Sequence, residues 1–214
     1  RFRRDRPVTA PLRAYLQIRS ALQPAWLDGG ARIAFLTSIT GIPQIWAVDA
    51  DGGWPEQLTF GEERVGNLLA SPDGSTLVFE RDRGGDERYR LHLARPERPL
   101  ADDDCIHALG AFSPDGSLLA FTHTARNGVD FDVAVIDLES GERREVAAPG
   151  GWCSVLDWGP SGILVARARS NVDDDLLLVG PQTGAVAQLT PTNGVASHVP
   201  ALLLPDGGVL AASD

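Results

Sequence analysis

Ser71-Pro72-Asp73-Gly74 followed by Ser75-Thr76-Leu77-Val78-Phe79 returns as Ser113-Pro114-Asp115-Gly116 followed by Ser117-Leu118-Leu119-Ala120-Phe121. Proline presets φ at the first corner of a turn and glycine accepts positive φ beyond it, so each copy reads as a hairpin joining two apolar strands. Looser copies are Asp28-Gly29-Gly30 before Ala31-Arg32-Ile33-Ala34-Phe35, Gly159-Pro160-Ser161-Gly162 before Ile163-Leu164-Val165, and Pro205-Asp206-Gly207 before Gly208-Val209-Leu210. The last glycines of these turns, Gly30, Gly74, Gly116, Gly162 and Gly207, are 44, 42, 46 and 45 residues apart. Such a period points to propeller blades rather than to one wound sheet. The residue before each turn, Trp26, Phe112, Trp158 or Leu203, with Ala70 as the small exception, is expected to pack between neighbouring sheets.

A second pair of strands follows in each unit. Ile45-Trp46-Ala47-Val48 leads through Asp49-Ala50-Asp51-Gly52-Gly53 to Gln57-Leu58-Thr59, and Leu176-Leu177-Leu178-Val179 leads through Thr183-Gly184 to Gln188-Leu189-Thr190. The two Gln-Leu-Thr copies stand 131 residues apart, three periods, which fixes the same register independently. Four strands per repeat predict an all-β chain, a partial β-propeller of four-stranded blades over 23–60, 65–104, 107–148 and 152–190, with half of a fifth after them. Residues 1–22 read as an N-terminal arm and 23–214 as the propeller domain. A half-blade leaves bare apolar faces and an open edge, so the propeller is expected to be incomplete.

The 214 residues are 43% hydrophobic and 22% charged, enough for a packed core. All 19 basic residues are arginine, against 29 acids, a net charge of −10 that argues against nucleic-acid and anionic-membrane partners. Residues 1–19 run against this trend, with six arginines and one aspartate. No apolar run approaches the roughly 18 residues of a membrane span. Two cysteines, Cys105 and Cys153, fit a reducing compartment or a single bridge in an oxidising one. A cytoplasmic location is expected, with the periplasm as the alternative.

Further stretches carry a family resemblance. Tyr15-Leu16-Gln17-Ile18-Arg19-Ser20-Ala21, Pro24-Ala25-Trp26, Gly41-Ile42-Pro43-Gln44-Ile45-Trp46 and Gly52-Gly53-Trp54-Pro55-Glu56-Gln57-Leu58-Thr59 resemble the N-terminal propeller of bacterial prolyl oligopeptidase-family serine peptidases, in the acylaminoacyl-peptidase and dipeptidyl-aminopeptidase-like branch. Arg81-Asp82-Arg83-Gly84-Gly85-Asp86-Glu87-Arg88 before Tyr89-Arg90-Leu91, and Ile106-His107 before Gly110-Ala111-Phe112, match as well, whereas Ser-Pro-Asp-Gly alone is shared with TolB-type propellers. The resemblance implies a seven-bladed propeller that gates short peptides, followed by a C-terminal α/β-hydrolase domain bearing Ser, Asp and His. This chain holds no Gly-x-Ser-x-Gly elbow and no alternation of strands and helices to support one, so no catalytic residue carries over. The expected partners are that hydrolase domain and a short peptide, with no cofactor; self-association into a homo-oligomer stays open. The competing reading is a free-standing TolB-like propeller that binds a protein or peptide without catalysis. A metal-dependent propeller enzyme is weaker, for want of a coherent ligand set or carboxylate pair.

Arg81, Asp82, Asp86, Glu87 and Arg88 are the candidate substrate or interface residues, because a guanidinium suits carboxylates and an acidic pair suits an amine. The alternative for them is a tight hairpin closed by local ion pairs. His107, Cys153 and His198 fall in one register of successive units, which invites a metal, but neighbouring blades need not bring them within ligand distance, and no metal site is assigned. Asp49-Ala50-Asp51-Gly52 reads as a hairpin turn rather than a calcium loop. Asp102-Asp103-Asp104 and Asp173-Asp174-Asp175 read as solvated loop charge, and His92 and His123 as structural residues of strands.

Overall fold

The computed structural model describes residues 20–190 and 194–212. The arm expected over residues 1–22 lies outside them up to residue 19, and Leu22 is the first residue of a strand. Blade 1 comprises β1 (Leu22–Leu27), β2 (Arg32–Thr37), β3 (Gln44–Asp49) and β4 (Glu56–Gln57). Blade 2 comprises β5 (Val65–Ala70), β6 (Leu77–Arg81), β7 (Arg90–Ala94) and β8 (Glu97–Ala101). Blade 3 comprises β9 (His107–Phe112), β10 (Leu118–His123), β11 (Asp132–Asp137) and β12 (Arg143–Ala147). Blade 4 comprises β13 (Trp152–Gly159), β14 (Gly162–Ser170), β15 (Asp173–Val179) and β16 (Val186–Gln188), and β17 (Ala201–Leu203) pairs with β18 (Val209–Ala211) in a fifth, two-stranded sheet. Every sheet is an antiparallel meander in which each strand pairs with the next in sequence. The observed blades fall on the repeat read from the turns.

The Ser-Pro-Asp-Gly turns are closed by their own side chains. Asp73 Oδ1 accepts from Ser71 Oγ at 2.7 Å, Ser75 N at 3.0 Å and Ser75 Oγ at 2.8 Å, and Ser71 Oγ accepts from Thr76 N at 2.9 Å. Asp115 repeats the arrangement with Ser113 Oγ at 2.6 Å, Ser117 N at 3.1 Å and Ser117 Oγ at 2.9 Å. Gly74 takes a φ of 71°, and a Cβ there would lie 2.9 Å from the Leu27 backbone, so glycine is required both for the turn and for its seat against blade 1. Asp28 N donates to Gly74 O at 2.9 Å and Gly29 N to Asp73 O at 3.1 Å across that seat.

Along the central strands β6, β10 and β14 the buried residues run consecutively, and successive side chains alternate between the two neighbouring blades with a period of two. Leu77 and Phe79 pack toward blade 1 with Leu27, Ala34, Leu36 and Ile45, while Val78 between them packs toward blade 3 with Phe121. In the next blades Leu119 and Phe121 face blade 2 while Ala120 faces blade 4, and Ile163 and Val165 face blade 3 while Leu164 and Ala166 join Leu203 of the fifth sheet. Phe112, Trp158 and Leu203 each reach the preceding blade, as expected of residues before the turns. Trp26 does not: it is 61% exposed, because no blade precedes β1 among the described residues to cover that face.

The innermost strands approach most closely at Gly110, where a Cβ would stand 2.4 Å from Val155 Cβ and 2.6 Å from Ala120 O. Gly110→Ala is expected to lower the unfolding free energy by about 1–3 kcal/mol through overpacking, read by chemical denaturation. The hydroxyl and amide donors around Asp73 hold its carboxyl down to about 2. A carboxylate whose pKa is lowered on folding stabilises above its unfolded value and stops doing so as the pH falls through the folded one. The melting-temperature advantage over Asp73→Asn is therefore expected to be constant above about pH 4 and to shrink between there and pH 2.

Candidate functional site

Because the strands alternate in direction, each blade sends its first turn, Ser-Pro-Asp-Gly in blades 2 and 3, to one end and its second hairpin, together with the crossing to the next blade, to the other. The register places Arg81 opposite both Val65 and Arg90, His123 opposite both His107 and Asp132, and Ser170 opposite Asp173 at this second end. The charged candidates therefore share one loop face. The Asp49-Ala50-Asp51-Gly52 segment lies at the opposite end as a turn closed by Gly52 N donating to Asp49 O at 2.9 Å.

Arg81, Asp82, Asp86, Glu87 and Arg88 occupy the hairpin between β6 and β7. Asp86 Oδ1 accepts from Arg83 N at 3.2 Å and Arg88 N at 3.0 Å, and its Oδ2 lies 3.0 Å from Arg90 Nη1. Arg81 pairs with Glu97 and lies over the Phe79 ring at 4.9 Å, Asp82 is buried, and Arg88 donates to Asp104 O at 3.2 Å. Glu87, with a φ of 57°, is the exposed tip. Arg90 is the hub: only 4% exposed, it also lies 3.5 Å from Asp102 and 3.9 Å from Asp104.

His107, Cys153 and His198 each keep different company. Cys153 is buried between blades 3 and 4, and His198 Nδ1 meets Asp174 Oδ1 at 3.1 Å. His107 Nε2 instead faces its own approach segment, 3.2 Å from Asp103 Oδ1 and 3.5 Å from Cys105 Sγ, while Cys105 Sγ donates to Asp103 Oδ1 at 2.7 Å. The signal for this trio was Asp-x-Cys-x-His: Asp103 Oδ1 also accepts from Cys105 N at 3.2 Å, and the bend this closes ahead of β9 turns the three side chains together. Burial pushes the Cys105 thiol up to about 12, helped by its bond to Asp103. Burial alone would raise Asp103, but the Cys105 thiol, His107 and Arg143 hold it down to about 2. Burial also lowers His107, against the pull of Asp103 and of Tyr89 O.

A cavity of about 520 Å³ adjoins the trio, lined by Asp103, Cys105, Arg88 and Thr124. A second of about 520 Å³, reached past Ala125, is lined by His123, Arg126, Asp132 and Glu145, with His123 Nε2 2.7 Å from Glu145 Oε2. The Asp173-Asp174-Asp175 run departs from the expected solvated loop. It begins β15, where Asp174 and Asp175 are buried; Asp175 meets Arg167 at 2.7 Å, and Asp174 accepts from His198 N at 3.0 Å.

No family model matches the chain. In structure it is similar to TolB from Acinetobacter baumannii, with a TM-score of 0.61 and 23% identity over 88% of this chain and 47% of that one. These are TolB-like propeller blades. A Mycobacterium tuberculosis puromycin-hydrolyzing peptidase shares the fold with a TM-score of 0.61 and 17% identity, over 80% of this chain and 29% of that one. In sequence the chain is similar to dipeptidyl-peptidase 5 of Porphyromonas endodontalis, 38% identical over 64 residues, and to the uncharacterized peptidase YuxL of Bacillus subtilis, 30% identical over 125 residues. The matches cover 30% and 54% of this chain but only 9% and 19% of those relatives. The TolB-like blades thus resemble the propeller portion of prolyl oligopeptidase-family peptidases in both sequence and fold.

Within the TolB-like blade 2, removing the Arg90 guanidinium strands a group of acids that are themselves partly hydrated. Arg90→Met is expected to cost about 1–3 kcal/mol, less than for a fully buried pair, read by denaturant titration at neutral pH.

Proposed function

We propose that this chain is the substrate-gating propeller portion of a prolyl oligopeptidase-family serine peptidase that hydrolyses short peptides. The observation that supports this most is the 125-residue match at 30% identity to a protein named as a peptidase, over 54% of this chain. The chain contributes no nucleophile; a hydrolase domain outside it would carry the chemistry. A propeller placed over such a domain excludes long or folded chains and holds a short one near the reacting groups, which lowers the entropic cost of reaction and shields the site from water. In this reading the loop face is the side that meets the hydrolase domain or the peptide: Arg81, Asp82 and Asp86, held by burial or local ion pairs, shape the hairpin that presents Glu87 and Arg88 to a substrate terminus or the domain. The location is cytoplasmic.

The second reading, a TolB-like propeller that binds a protein or peptide without catalysis, is favoured by the likeness to TolB, where the identity reaches 23%. The native polypeptide carrying these residues separates the two. Aminoacyl and acylaminoacyl chromogenic substrates are expected to be hydrolysed, with turnover abolished by a serine-directed inhibitor. Absence of inhibitor-sensitive hydrolysis in material of verified intact mass overturns the peptidase reading in favour of the binding propeller.

A further inference from the structure

We propose that Asp103, Cys105 and His107 form a site for zinc or a chemically similar divalent ion, with three protein ligands and a fourth position open to the adjoining cavity. One ligand atom from each residue lies within 4.8 Å of the others. A tetrahedral zinc with bonds of about 2.3 Å to sulfur and about 2.0–2.1 Å to nitrogen and oxygen keeps neighbouring ligand atoms about 3.3–3.6 Å apart. His107 Nε2 already stands 3.5 Å from Cys105 Sγ and 3.2 Å from Asp103 Oδ1. The third edge, Sγ to Oδ1, is 2.7 Å because the thiol proton lies between the two atoms. When the ion enters, the S–H bond breaks, the S–metal bond forms and the proton leaves to solvent, and this edge opens by about 0.8 Å.

The surrounding structure orients each donor. His107 Nδ1 lies 3.1 Å from Tyr89 O; a carbonyl can only accept, so Nδ1 carries the proton and Nε2 offers its lone pair. The imidazole is fully buried and held beside the Phe121 ring, with centroids 5.9 Å apart. Arg143 Nη1 binds Asp103 Oδ2 at 2.9 Å and leaves Oδ1 turned to the other two donors. The segment itself is pinned, with His107 N donating to Tyr89 O at 3.0 Å, Ile106 N to Thr124 Oγ1 at 3.1 Å and Thr124 N to Ile106 O at 3.0 Å. One thiolate and one imidazole select zinc or cobalt over magnesium and calcium, which need oxygen shells. His107, which opens β9, is already bonded to Tyr89 in the connection into β7, so an ion here would sit on a segment fixed between blades 2 and 3 with a coordination position facing the cavity.

The inference is independent of the peptidase reading, and its test reads binding rather than turnover. The intact protein, kept reduced, is titrated with Zn²⁺ by calorimetry and with Co²⁺ by absorption spectroscopy. One equivalent is expected to bind, with a thiolate-to-cobalt charge-transfer band and the intense visible bands of a tetrahedral centre. Cys105→Ser removes the charge-transfer band, and both Cys105→Ser and Asp103→Asn weaken zinc at least about 10-fold. Cys105 and Asp103 are not core residues, so circular dichroism of these variants is expected to match wild type, and Cys153→Ser is expected to bind zinc as wild type does. Absence of stoichiometric uptake by the wild type, or uptake unchanged in Cys105→Ser and Asp103→Asn, overturns the site.

Discussion

Among the described residues each four-stranded sheet has two apolar faces and no α-helix to cover either, so every blade depends on its neighbours. The alternation along β6, β10 and β14 expresses that dependence directly: Phe79, Phe121 and Val165 look backward, and Val78, Ala120 and Leu164 look forward. In β6 and β10 the phenylalanines take the backward face and the smaller Val78 and Ala120 the forward one, whereas in β14 Val165 looks backward and Leu164 forward. Gly110 is the extreme of that fit, a residue without a side chain where two innermost strands touch.

The same constraint sorts the chemistry. Apolar side chains are committed to the faces between blades, so polar function is confined to the ends of the strands. One end is occupied by the tight Ser-Pro-Asp-Gly turns, whose carboxylates are consumed by their own serines. The other end has longer hairpins and blade crossings, and there arginines and acids are dense enough to bury a guanidinium such as Arg90 among partners. The Asp103, Cys105 and His107 trio arises at one of these crossings, where the chain bends between one blade and the next.

Most of the fold was legible because turn chemistry and the apolar runs beside each turn are local properties that a repeat prints several times. The blade boundaries, the hairpins and the packing of Phe112, Trp158 and Leu203 all follow from them. What failed required knowledge of neighbours: Trp26 carries the same local signal as Trp158, yet it is exposed because nothing among the described residues lies on its side. Asp174 and Asp175 looked like a solvated run, but Arg167 and residues 197–198 arrive from elsewhere in the chain to receive them. At the loop face, reading His107 against equivalent positions of other blades missed that its true companions were two and four residues away. A register comparison looks between repeats, whereas the side chains of a bent crossing meet within one.

The strictly sequential pairing of strands has a kinetic meaning. Blade 1 completes its hydrogen-bonded ladder by Gln57 and blade 2 by Ala101, with no strand borrowed from later in the sequence. A ribosome releasing this chain would therefore deliver finished sheets one after another, each arriving to cap the exposed face of the one before. Loop-closure entropy is met in short instalments rather than in one long-range search. The apolar surface exposed as the blades accumulate is then confined to the newest face and to the Trp26 face of blade 1, which limits the window in which the nascent chain can aggregate.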